Sequence, residues 1–512
     1  MSRFAIWNNV AMARIVNTVL ADKVMSAEDA ARFINPGDNV GMSGFTGSGY
    51  PKAVPTALAH RIEAAHDAGE DFSIGLFTGA STSDELDGAL ANAKGVRFRT
   101  PFNTDPDMRA AINKGEVDYL DAHLSHLAQQ VWFGFYGKLN VAVIEVAAVL
   151  PNGLLVPGAS VGNNKTWLDL ADKVILEVNE WLPNEIEGFH DIYYGTHIPP
   201  HRNPIQILDP AQRIGDPYLR VDESKVVAVV KTNSPDRDNK FNPVDEKSEA
   251  MANYLIDFLR SEVKNDRLPK NLLPLQSGIG NVANAVLAGL QESEFRNLTS
   301  FTEVVQDNLL SLLEEGTFTS VSATALSLTR EKAQYFNDNV EKFKGRLLLR
   351  PQEMSNHPEI VRRLGVIGIN GMVEADIYGN VNSTHITGTK IVNGIGGSGD
   401  FARNAFLNFF VSPSTAKDDA ISSIVPFASH VDHTEHDTHV LVTEQGIADL
   451  RGLSPIKRAR RIIDNCAHPQ FRDRLTDYLD RAIAADPGGQ HTPHILDEAL
   501  SWHINLREHG KM

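Results

Sequence analysis

The strongest constraint on the fold is an alternation of short β-branched runs with amphipathic stretches rich in Ala, Leu, Glu and Arg. Such an alternation is typical of α/β proteins whose sheets are largely parallel and buried on both faces. The clearest predicted strands are residues 141–146, 173–178 and 225–230. The clearest predicted helices are residues 53–64, 246–264 and 454–466. At 512 residues the chain is long enough for several domains of this kind.

The two halves of the chain resemble each other in four places that follow in the same order. The matching segments are 44–59 with 278–290, 76–79 with 300–303, 140–156 with 365–381, and 172–178 with 437–443. Each match is weak alone, but their common order is hard to obtain by accident. We therefore predict two similar α/β domains that face each other.

A polar stretch rich in Asn, Asp and Pro at residues 232–243 is the strongest linker signal in the chain. We place the domain boundary there, near residue 235. The predicted domains are residues 1–235 and residues 236–512.

Charge and cysteine content exclude several classes of function. The chain has 48 basic and 65 acidic residues, a formal net charge of −17, and no basic face that would attract nucleic acid. Its single cysteine, Cys466, allows no intrachain disulfide and no Cys-based zinc site. No apolar stretch reaches the roughly 18 to 20 residues of a membrane helix. We expect no nucleic-acid or membrane partner and a cytoplasmic location.

One departure from the repeat has chemical interest. Where the first half has Gly79-Ala80-Ser81 after its second matching strand, the second half has Glu303. A carboxylate at the carboxyl end of a parallel strand lies where such sheets bind ligands. Spacing alone, however, favours an ordinary solvated or helix-capping glutamate at this position.

Three Gly-rich segments could present backbone N–H groups to an anion or a carbonyl oxygen, namely residues 43–49, 276–281 and 394–400. None matches the dinucleotide or phosphate-loop fingerprints. Tight packing turns explain the first two equally well, and a structural turn remains an alternative for the third.

Four histidines recur at every third position, His430, His433, His436 and His439, and suggest a metal site. Their flanking acids are more typical of an exposed loop. We expect no metal. A buried or incidental thiol is the better interpretation of Cys466, since no nucleophile motif surrounds it.

Five segments carry a resemblance to a known family: residues 276–284, 301–307, 370–382, 393–400 and 442–452. They resemble the acetyl-CoA hydrolase/transferase family, whose members are class I CoA-transferases and related hydrolases, and the resemblance extends over nearly the whole chain. It implies two CoA-transferase domains of the ribose-5-phosphate isomerase type with the active site between them. It also implies a homodimer.

The resemblance assigns roles to particular residues. Glu303 falls on the family's nucleophilic glutamate, and the oxyanion donors would be the Asn356 side chain and the Gly397 backbone N–H. Contacts to coenzyme A would come from Gln276, Ser277, Gly278, Ile279, Gly280, Asn393, Gly397 and Lys417. The small acid would bind near residues 79–81, with Arg237 and Glu444 at the edge of the site. Residues alone leave Arg237 open as a solvated linker charge and Glu444 as a partner of Arg451.

The implied activity moves CoA from succinyl-CoA to acetate through a glutamyl-CoA thioester, with coenzyme A as substrate and no tightly bound cofactor. Two alternatives stay open: hydrolysis of an acyl-CoA, and transfer to another short-chain acid. A non-catalytic acyl-CoA-binding regulator is a further alternative, which the retention of Glu303 and of the 394–400 loop disfavours.

Overall fold

A computed structural model describes residues 14–240, 243–278, 280–485 and 489–512. The strands are β1 Asn39–Met42, β2 Ile74–Phe77, β3 Val96–Thr100, β4 Asp118–Tyr119, β5 Val141–Val149, β6 Leu154–Pro157, β7 Lys173–Asn179, β8 Leu219–Arg220, β9 Val226–Thr232, β10 Leu275–Ser277, β11 Leu298–Phe301, β12 Val304–Val305, β13 Phe318–Ala323, β14 Ala325–Leu326, β15 Leu347–Leu349, β16 Ile367–Gly371, β17 Glu374–Asp376, β18 Val381–Asn382, β19 His385–Ile386, β20 Lys390–Ile391, β21 Leu407–Val411, β22 Thr415–Ala416, β23 Ile421–Ser422, β24 Ile424–Val425, β25 Val440–Thr443 and β26 Gly446–Asp449.

The α-helices lie between and around these strands. They are α1 Thr18–Ala21, α2 Ala27–Ala31, α3 Ala53–Asp67, α4 Ala89–Asn92, α5 Pro106–Lys114, α6 Leu124–Trp132, α7 Asn164–Leu170, α8 Glu246–Lys264, α9 Asn281–Glu292, α10 Asp307–Glu315, α11 Arg330–Asp338, α12 Gln352–Ser355, α13 Pro358–Leu364, α14 Ser398–Ala402, α15 Pro455–Cys466, α16 Pro469–Ala485 and α17 Ser501–His509. In the described part of the chain no helix has the length and apolar character needed to cross a membrane.

The predicted elements agree with this structure. The strands expected at 141–146, 173–178 and 225–230 are β5, β7 and β9, and the helices expected at 53–64, 246–264 and 454–466 are α3, α8 and α15, with ends that differ by at most three residues. The mixed α/β fold with parallel sheets is therefore confirmed. Strand β5 is buried on both faces: Val141 and Val143 pack in one core cluster, and Ala142 and Ile144 in another.

Two large sheets share one strand order. In the first, the parallel strands run β4-β3-β2-β1-β5-β7-β9, with β6 and β8 added antiparallel beside the far end of β5. In the second they run β15-β13-β11-β10-β16-β21-β25, with β26 antiparallel at the edge. Seven strands thus correspond one to one. This is the repeat that the sequence predicted.

One of the four predicted matches is wrong. The strand at 172–178 was paired with 437–443, but β7 occupies the place of β21 in the sheet order, and β25 occupies the place of β9. The error arises because all four strands are short, apolar and largely buried, so their composition does not distinguish neighbours in the sheet. We propose that the two domains meet near residue 235, between the end of β9 and the start of α8.

The halves are joined by backbone hydrogen bonds and by a common core. The Val161 N–H donates to the Thr324 carbonyl at 2.9 Å, and the Leu326 N–H donates to the Ala159 carbonyl at 2.9 Å. The largest core cluster includes side chains of both sheets, such as Ile144 of β5 and Leu349 of β15. Separating the halves would expose this apolar surface and break the strand-like pairing between them.

A buried ion pair also crosses between the halves. Asp191 accepts from the Arg350 guanidinium and from the N–H groups of Ile214 and Gly215, at 3.1 and 2.7 Å from its Oδ1. Arg350 also donates to the Ser322 hydroxyl at 2.8 Å. Both charged side chains are fully buried, so each depends on the other for compensation.

We expect Asp191→Ala to lower the free energy of unfolding by about 3 to 5 kcal/mol, because it leaves the Arg350 charge buried without its partner. Urea denaturation followed by far-UV circular dichroism measures the change. Glu341→Ala is the matched control, since it removes an exposed ion pair with Lys344 and should leave the midpoint unchanged. Equal midpoints for both variants would contradict the role given to Asp191.

Candidate active site

Loops at the carboxyl ends of four central strands converge between the halves. Residues 43–49 follow β1 and residues 78–82 follow β2 in the first half. In the second half, Gly278 directly follows β10, and Glu303 lies two residues after the end of β11. These are the positions where parallel sheets place ligand-binding groups, because the carboxyl ends of neighbouring strands meet at one edge.

A cavity of about 470 Å³ lies among these loops, and Glu303 lines it. The other lining residues come from both halves: Phe45, Thr46, Ala80, Phe102, Thr104, Leu124, Arg237, Gly278, Asn370, Gly371, Met372, Val373, Ser383, Asn393, Gly394, Ile395, Gly396, Gly397 and Ser398. Its walls are mostly apolar or backbone, with few charged groups, a composition typical of small-molecule sites.

Glu303 is fixed at both backbone and side chain. Its carbonyl accepts from the Thr324 N–H at 2.8 Å, which anchors it beside the next strand. Its Oε1 accepts from the Asn356 side-chain amide at 2.6 Å, and the Gly397 backbone N–H also donates to its carboxylate. Two donors from separate parts of the chain thus converge on one carboxylate.

Gly397 has no room for a side chain. A Cβ built on it would lie 1.4 Å from Glu303 Oε1 and 2.2 Å from the Asn356 Nδ2. Its φ of −92° is open to any residue, so the requirement for glycine is steric and not conformational. Only the absence of a Cβ lets this backbone N–H approach the Glu303 carboxylate.

Burial raises the pKa of Glu303 to about 7, and the hydrogen bonds from Asn356 and Gly397 partly offset that rise by favouring the charged form. The residue keeps part of its surface open to the cavity. Burial, with a smaller contribution from nearby Glu303, also raises the pKa of Asp400 to about 8. A carboxylate poorly solvated by water is a better nucleophile once it is ionised.

Asn356 lies at the junction of two short helices. Its backbone N–H closes the end of α12 on the Gln352 carbonyl at 3.0 Å, and the next residue, His357, caps α13, whose first residue is Pro358. The proline sets the backbone for the first helical turn and ends the preceding helix close to it. Asn356 is fully buried, and its Oδ1 accepts from the Ser355 hydroxyl at 2.8 Å, which orients the amide N–H toward Glu303.

Of the residues expected to contact coenzyme A, some line the cavity and others are bonded inside the fold. Gly278 lines the cavity, whereas the buried Gln276 amide donates to Asn370 Oδ1 at 3.1 Å inside the sheet. The Ser277 hydroxyl donates to the Gly278 carbonyl, and Gly280 precedes α9. Ile279 lies outside the described residues.

Asn393 lines the cavity, and its amide donates to the Ser383 carbonyl at 3.1 Å. Lys417 is exposed in the turn between β22 and β23 and is not among the residues that line the cavity. Both residues belong to the second half.

Of the two residues predicted at the edge of the site, one lines the cavity and the other does not. Arg237 lines the cavity and donates to the Thr82 carbonyl at 3.0 Å, so it is not a free linker charge. Glu444 does not line it and accepts from the Ser414 N–H at 2.7 Å. The alternative pairing of Glu444 with Arg451 is wrong, because Arg451 pairs with Asp449 and Glu262.

Two of the four evenly spaced histidines and the single cysteine have defined surroundings in the structure. The His433 ring contacts the Ser398 hydroxyl at 3.1 Å, and His439 accepts from the Asn408 N–H at 3.2 Å. Across residues 14–240, 243–278, 280–485 and 489–512 no group of three or more His, Cys, Asp or Glu side chains could hold a metal ion. Burial raises the pKa of Cys466 to about 12, which makes its thiol a poor nucleophile.

Sequence reasoning missed the contacts that the first half makes to the 394–400 loop. Asp121 accepts from the Ile395 N–H at 2.9 Å, and Asp400 accepts from the Ser125 N–H at 3.0 Å. Asp400 is the last residue of the Gly-rich segment 394–400, so its place in that segment could have pointed to this contact. Asp121 and Ser125 lie in a stretch without any motif.

Models of one family match both halves of the chain: the acetyl-CoA hydrolase/transferase N-terminal domain at residues 13–231, and its C-terminal domain at residues 333–479. The chain belongs to the acetyl-CoA hydrolase/transferase family. It is 49% identical to a succinyl-CoA:acetate CoA-transferase of Clostridium kluyveri, over 98% of this chain and 92% of that protein. It is 45% identical to an acetyl-CoA hydrolase of Yarrowia lipolytica, over 96% of each.

Solved structures of this family's fold agree with the architecture. RipA from Yersinia pestis superposes with a TM-score of 0.70 at 22% identity, over 90% of this chain and 98% of that one. A 4-hydroxybutyrate CoA-transferase from Porphyromonas gingivalis superposes with a TM-score of 0.61 at 21% identity, with the same coverage. The CoA-transferase fold expected from the sequence is confirmed.

We expect Glu303→Gln to stabilise the free protein at pH 8. The folded-state pKa of about 7 exceeds the ordinary value of 4.5, so ionisation of Glu303 costs stability as pH rises between these values. The variant should gain up to about 3 kcal/mol at pH 8 and nothing below pH 4.5. Denaturant titrations at both pH values measure the gain, with the exposed Glu70→Gln as control. A gain independent of pH would contradict the assignment.

Proposed function

We propose that this chain is a CoA-transferase that moves CoA from succinyl-CoA to acetate, giving acetyl-CoA and succinate, with Glu303 as its nucleophile. The observation that carries the proposal is the Glu303 carboxylate in the cavity between the halves, held by the Asn356 amide at 2.6 Å and by the Gly397 N–H. Similarity to the Clostridium kluyveri transferase over 98% of the chain supports the choice of donor and acceptor.

The chemistry needs a nucleophile that becomes an activated acyl group itself. A Glu303 oxygen attacks the thioester carbonyl of succinyl-CoA and expels the CoA thiolate, which leaves a mixed anhydride of succinate and Glu303. The thiolate then attacks the glutamyl carbonyl carbon and expels succinate, which gives a glutamyl-CoA thioester. Acetate enters and the same two steps run in reverse. No net proton transfer is required, so the site needs no general base.

The donors to Glu303 are suited to the steps at the glutamyl carbon. The Asn356 amide donates to Glu303 Oε1 and the Gly397 N–H donates to the same carboxylate, and in the glutamyl thioester Oε1 is the carbonyl oxygen. When the thiolate or acetate attacks, negative charge develops on it while both donors are in place. A fixed donor of this kind lowers the barrier by about 3 to 4 kcal/mol. The remaining Glu303 oxygen is left for the initial attack.

Coenzyme A would approach along the second half, past Gly278 and Asn393, with Lys417 supplying a point charge to a phosphate. Gln276, Ser277, Ile279 and Gly280 belong to the same proposed channel through the resemblance to the family. The small acid would occupy the side of the cavity formed by Ala80 and Arg237. A protein with a net charge of −17 must hold the CoA phosphates through such local groups.

Acyl-CoA hydrolysis is the alternative, because water could replace acetate at the glutamyl thioester, and a Yarrowia lipolytica relative is named an acetyl-CoA hydrolase. Thiol release from succinyl-CoA, measured with and without acetate, separates the two activities. We expect acetate to be consumed in equal amount to the succinate formed. Thiol release that ignores acetate would overturn the transferase assignment. Propionate and 4-hydroxybutyrate in place of acetate test the acceptor.

We expect Glu303→Ala to abolish CoA exchange while the circular dichroism spectrum stays unchanged, because the variant lacks the nucleophile. Borohydride should inactivate the wild-type enzyme only after incubation with acyl-CoA, since it reduces the glutamyl thioester. Mass spectrometry of the peptide that contains Glu303 locates the modification. Full exchange activity in Glu303→Ala would eliminate the proposed nucleophile.

Asn356→Ala should lower kcat about 100- to 1000-fold, because one donor to the developing oxyanion is lost. Steady-state kinetics with succinyl-CoA and acetate measures the loss. Asn339→Ala serves as control, since that amide donates to the Tyr335 carbonyl at the end of α11, away from the cavity lining. Equal rates in both variants would rule out the oxyanion role of Asn356.

The proposal also covers the assembly, the location and the cofactor requirement of the protein. The protein acts as a homodimer, works in the cytoplasm and uses no metal or tightly bound cofactor. Light scattering of the purified protein tests the first, and full activity after dialysis against a chelator tests the last.

A further inference from the structure

Two carboxylates join the loop that carries Gly397 to the first half. One belongs to the first half and accepts from the loop, and the other belongs to the second half and accepts from α6. Asp121, in the segment before α6, accepts from the Ile395 N–H through both oxygens, at 2.9 and 2.8 Å. Asp400, in α14, accepts from the first turn of α6, with Oδ2 at 3.0 Å from the Ser125 nitrogen and Oδ1 at 2.5 Å from the Ser125 hydroxyl. The loop that carries Gly397 is therefore held at both of its ends by the same short segment, residues 121–125.

The same turn of α6 also holds the helix that carries the second donor. The Leu124 carbonyl accepts from the Gln352 side-chain amide at 3.1 Å, and Gln352 begins α12, which ends next to Asn356. The Asn356 amide in turn stabilises the charged form of Asp400 by hydrogen bonding. The segments that carry the two donors to Glu303 are thus both hydrogen-bonded to the first turn of α6, a helix of the other half.

We propose that Asp400 is a positioning residue for catalysis, which fixes the Gly397 N–H and the Asn356 amide relative to Glu303 by binding the Ser125 N–H and hydroxyl. The inference rests on the proposed function and deepens it. Asp400 touches neither substrate nor reacting atoms in this role; it acts through the two donors.

The geometry explains why this link has to be strong. Gly397 lies so close to Glu303 Oε1 that the site has no tolerance for movement inward, and movement outward breaks the hydrogen bond. Asp400 lies three residues after Gly397 and is buried, so its bond to Ser125 carries the restraint with little competition from water. A displacement of about 1 Å at a reacting group is enough to lower a rate about 100-fold.

The test compares Asp400→Ala and Ser125→Ala with the conservative Asp400→Asn. We expect Asp400→Ala to lower kcat roughly 10- to 100-fold, with the KM for succinyl-CoA within about twofold of the wild type. Ser125→Ala retains the backbone N–H and should lose roughly threefold to tenfold. Asp400→Asn keeps an acceptor oxygen for the Ser125 N–H and should recover most of the activity that Asp400→Ala loses. Rates are expressed per folded enzyme, from the native fraction measured in the same samples.

Asp376→Ala is the control for a purely structural role. Asp376 is also buried and accepts from the Tyr378 and Gly379 N–H groups at 2.9 Å, but it is not among the residues lining the cavity. That variant should lower the melting temperature and leave kcat per folded enzyme unchanged. If the Asp400→Ala and Ser125→Ala variants behave in the same way, the proposal is overturned.

Single-turnover trapping distinguishes this outcome from failure of the proposed function. Wild-type enzyme mixed with succinyl-CoA and quenched with borohydride should be modified at Glu303 within one turnover. The Asp400→Ala enzyme should reach the same final modification, more slowly and by the same factor as its kcat. Unchanged trapping kinetics would overturn the role of Asp400 alone. Absence of any Glu303 adduct in the wild type would overturn the proposed function, and this inference with it.

Discussion

The site depends on one constraint: the Glu303 carboxylate must stay poorly solvated without being left uncompensated. Burial raises its pKa to about 7, and the Asn356 and Gly397 donors lower the cost of its charge. Every nearby feature serves that balance. The strand order brings Glu303 to the carboxyl edge of the sheet, the other half closes the cavity, and the glycine admits a backbone N–H where any Cβ would collide.

The interface between the halves is therefore part of the chemistry and not only of the fold. Backbone pairing around Val161 and Leu326, the buried Asp191–Arg350 pair and the bonds from α6 all fix one half relative to the other. A loop that is hydrogen-bonded to a helix of the other half holds its donor more closely than a loop without such support. The cost is that the donors depend on contacts distant in the chain.

Much of the fold was accessible from the sequence because it rests on periodicity. Strands β5, β7 and β9 and helices α3, α8 and α15 follow directly from their apolar patterns. The repeat also identified Glu303 and Gly79 as equivalent positions, each two residues after the end of its strand. Composition could not show the order of similar buried strands within a sheet. It also could not show that the Gln276 amide donates to Asn370 inside the sheet. Side-chain direction and contacts between segments hundreds of residues apart, such as Ser125 with Asp400, leave no local pattern.

The equivalent strands β2 and β11 end differently, so the duplicated fold does not offer two equivalent carboxylates at this edge. Gly79 occupies in the first half the place that Glu303 has in the second, and a Cβ there would meet the Gly44 carbonyl oxygen at 2.7 Å. A glutamate at this position of the first half would collide with that carbonyl, although the strand order is duplicated. The duplicated fold therefore places a buried carboxylate at this edge in the second half, whereas the first half contributes small residues such as Ala80 to the cavity wall.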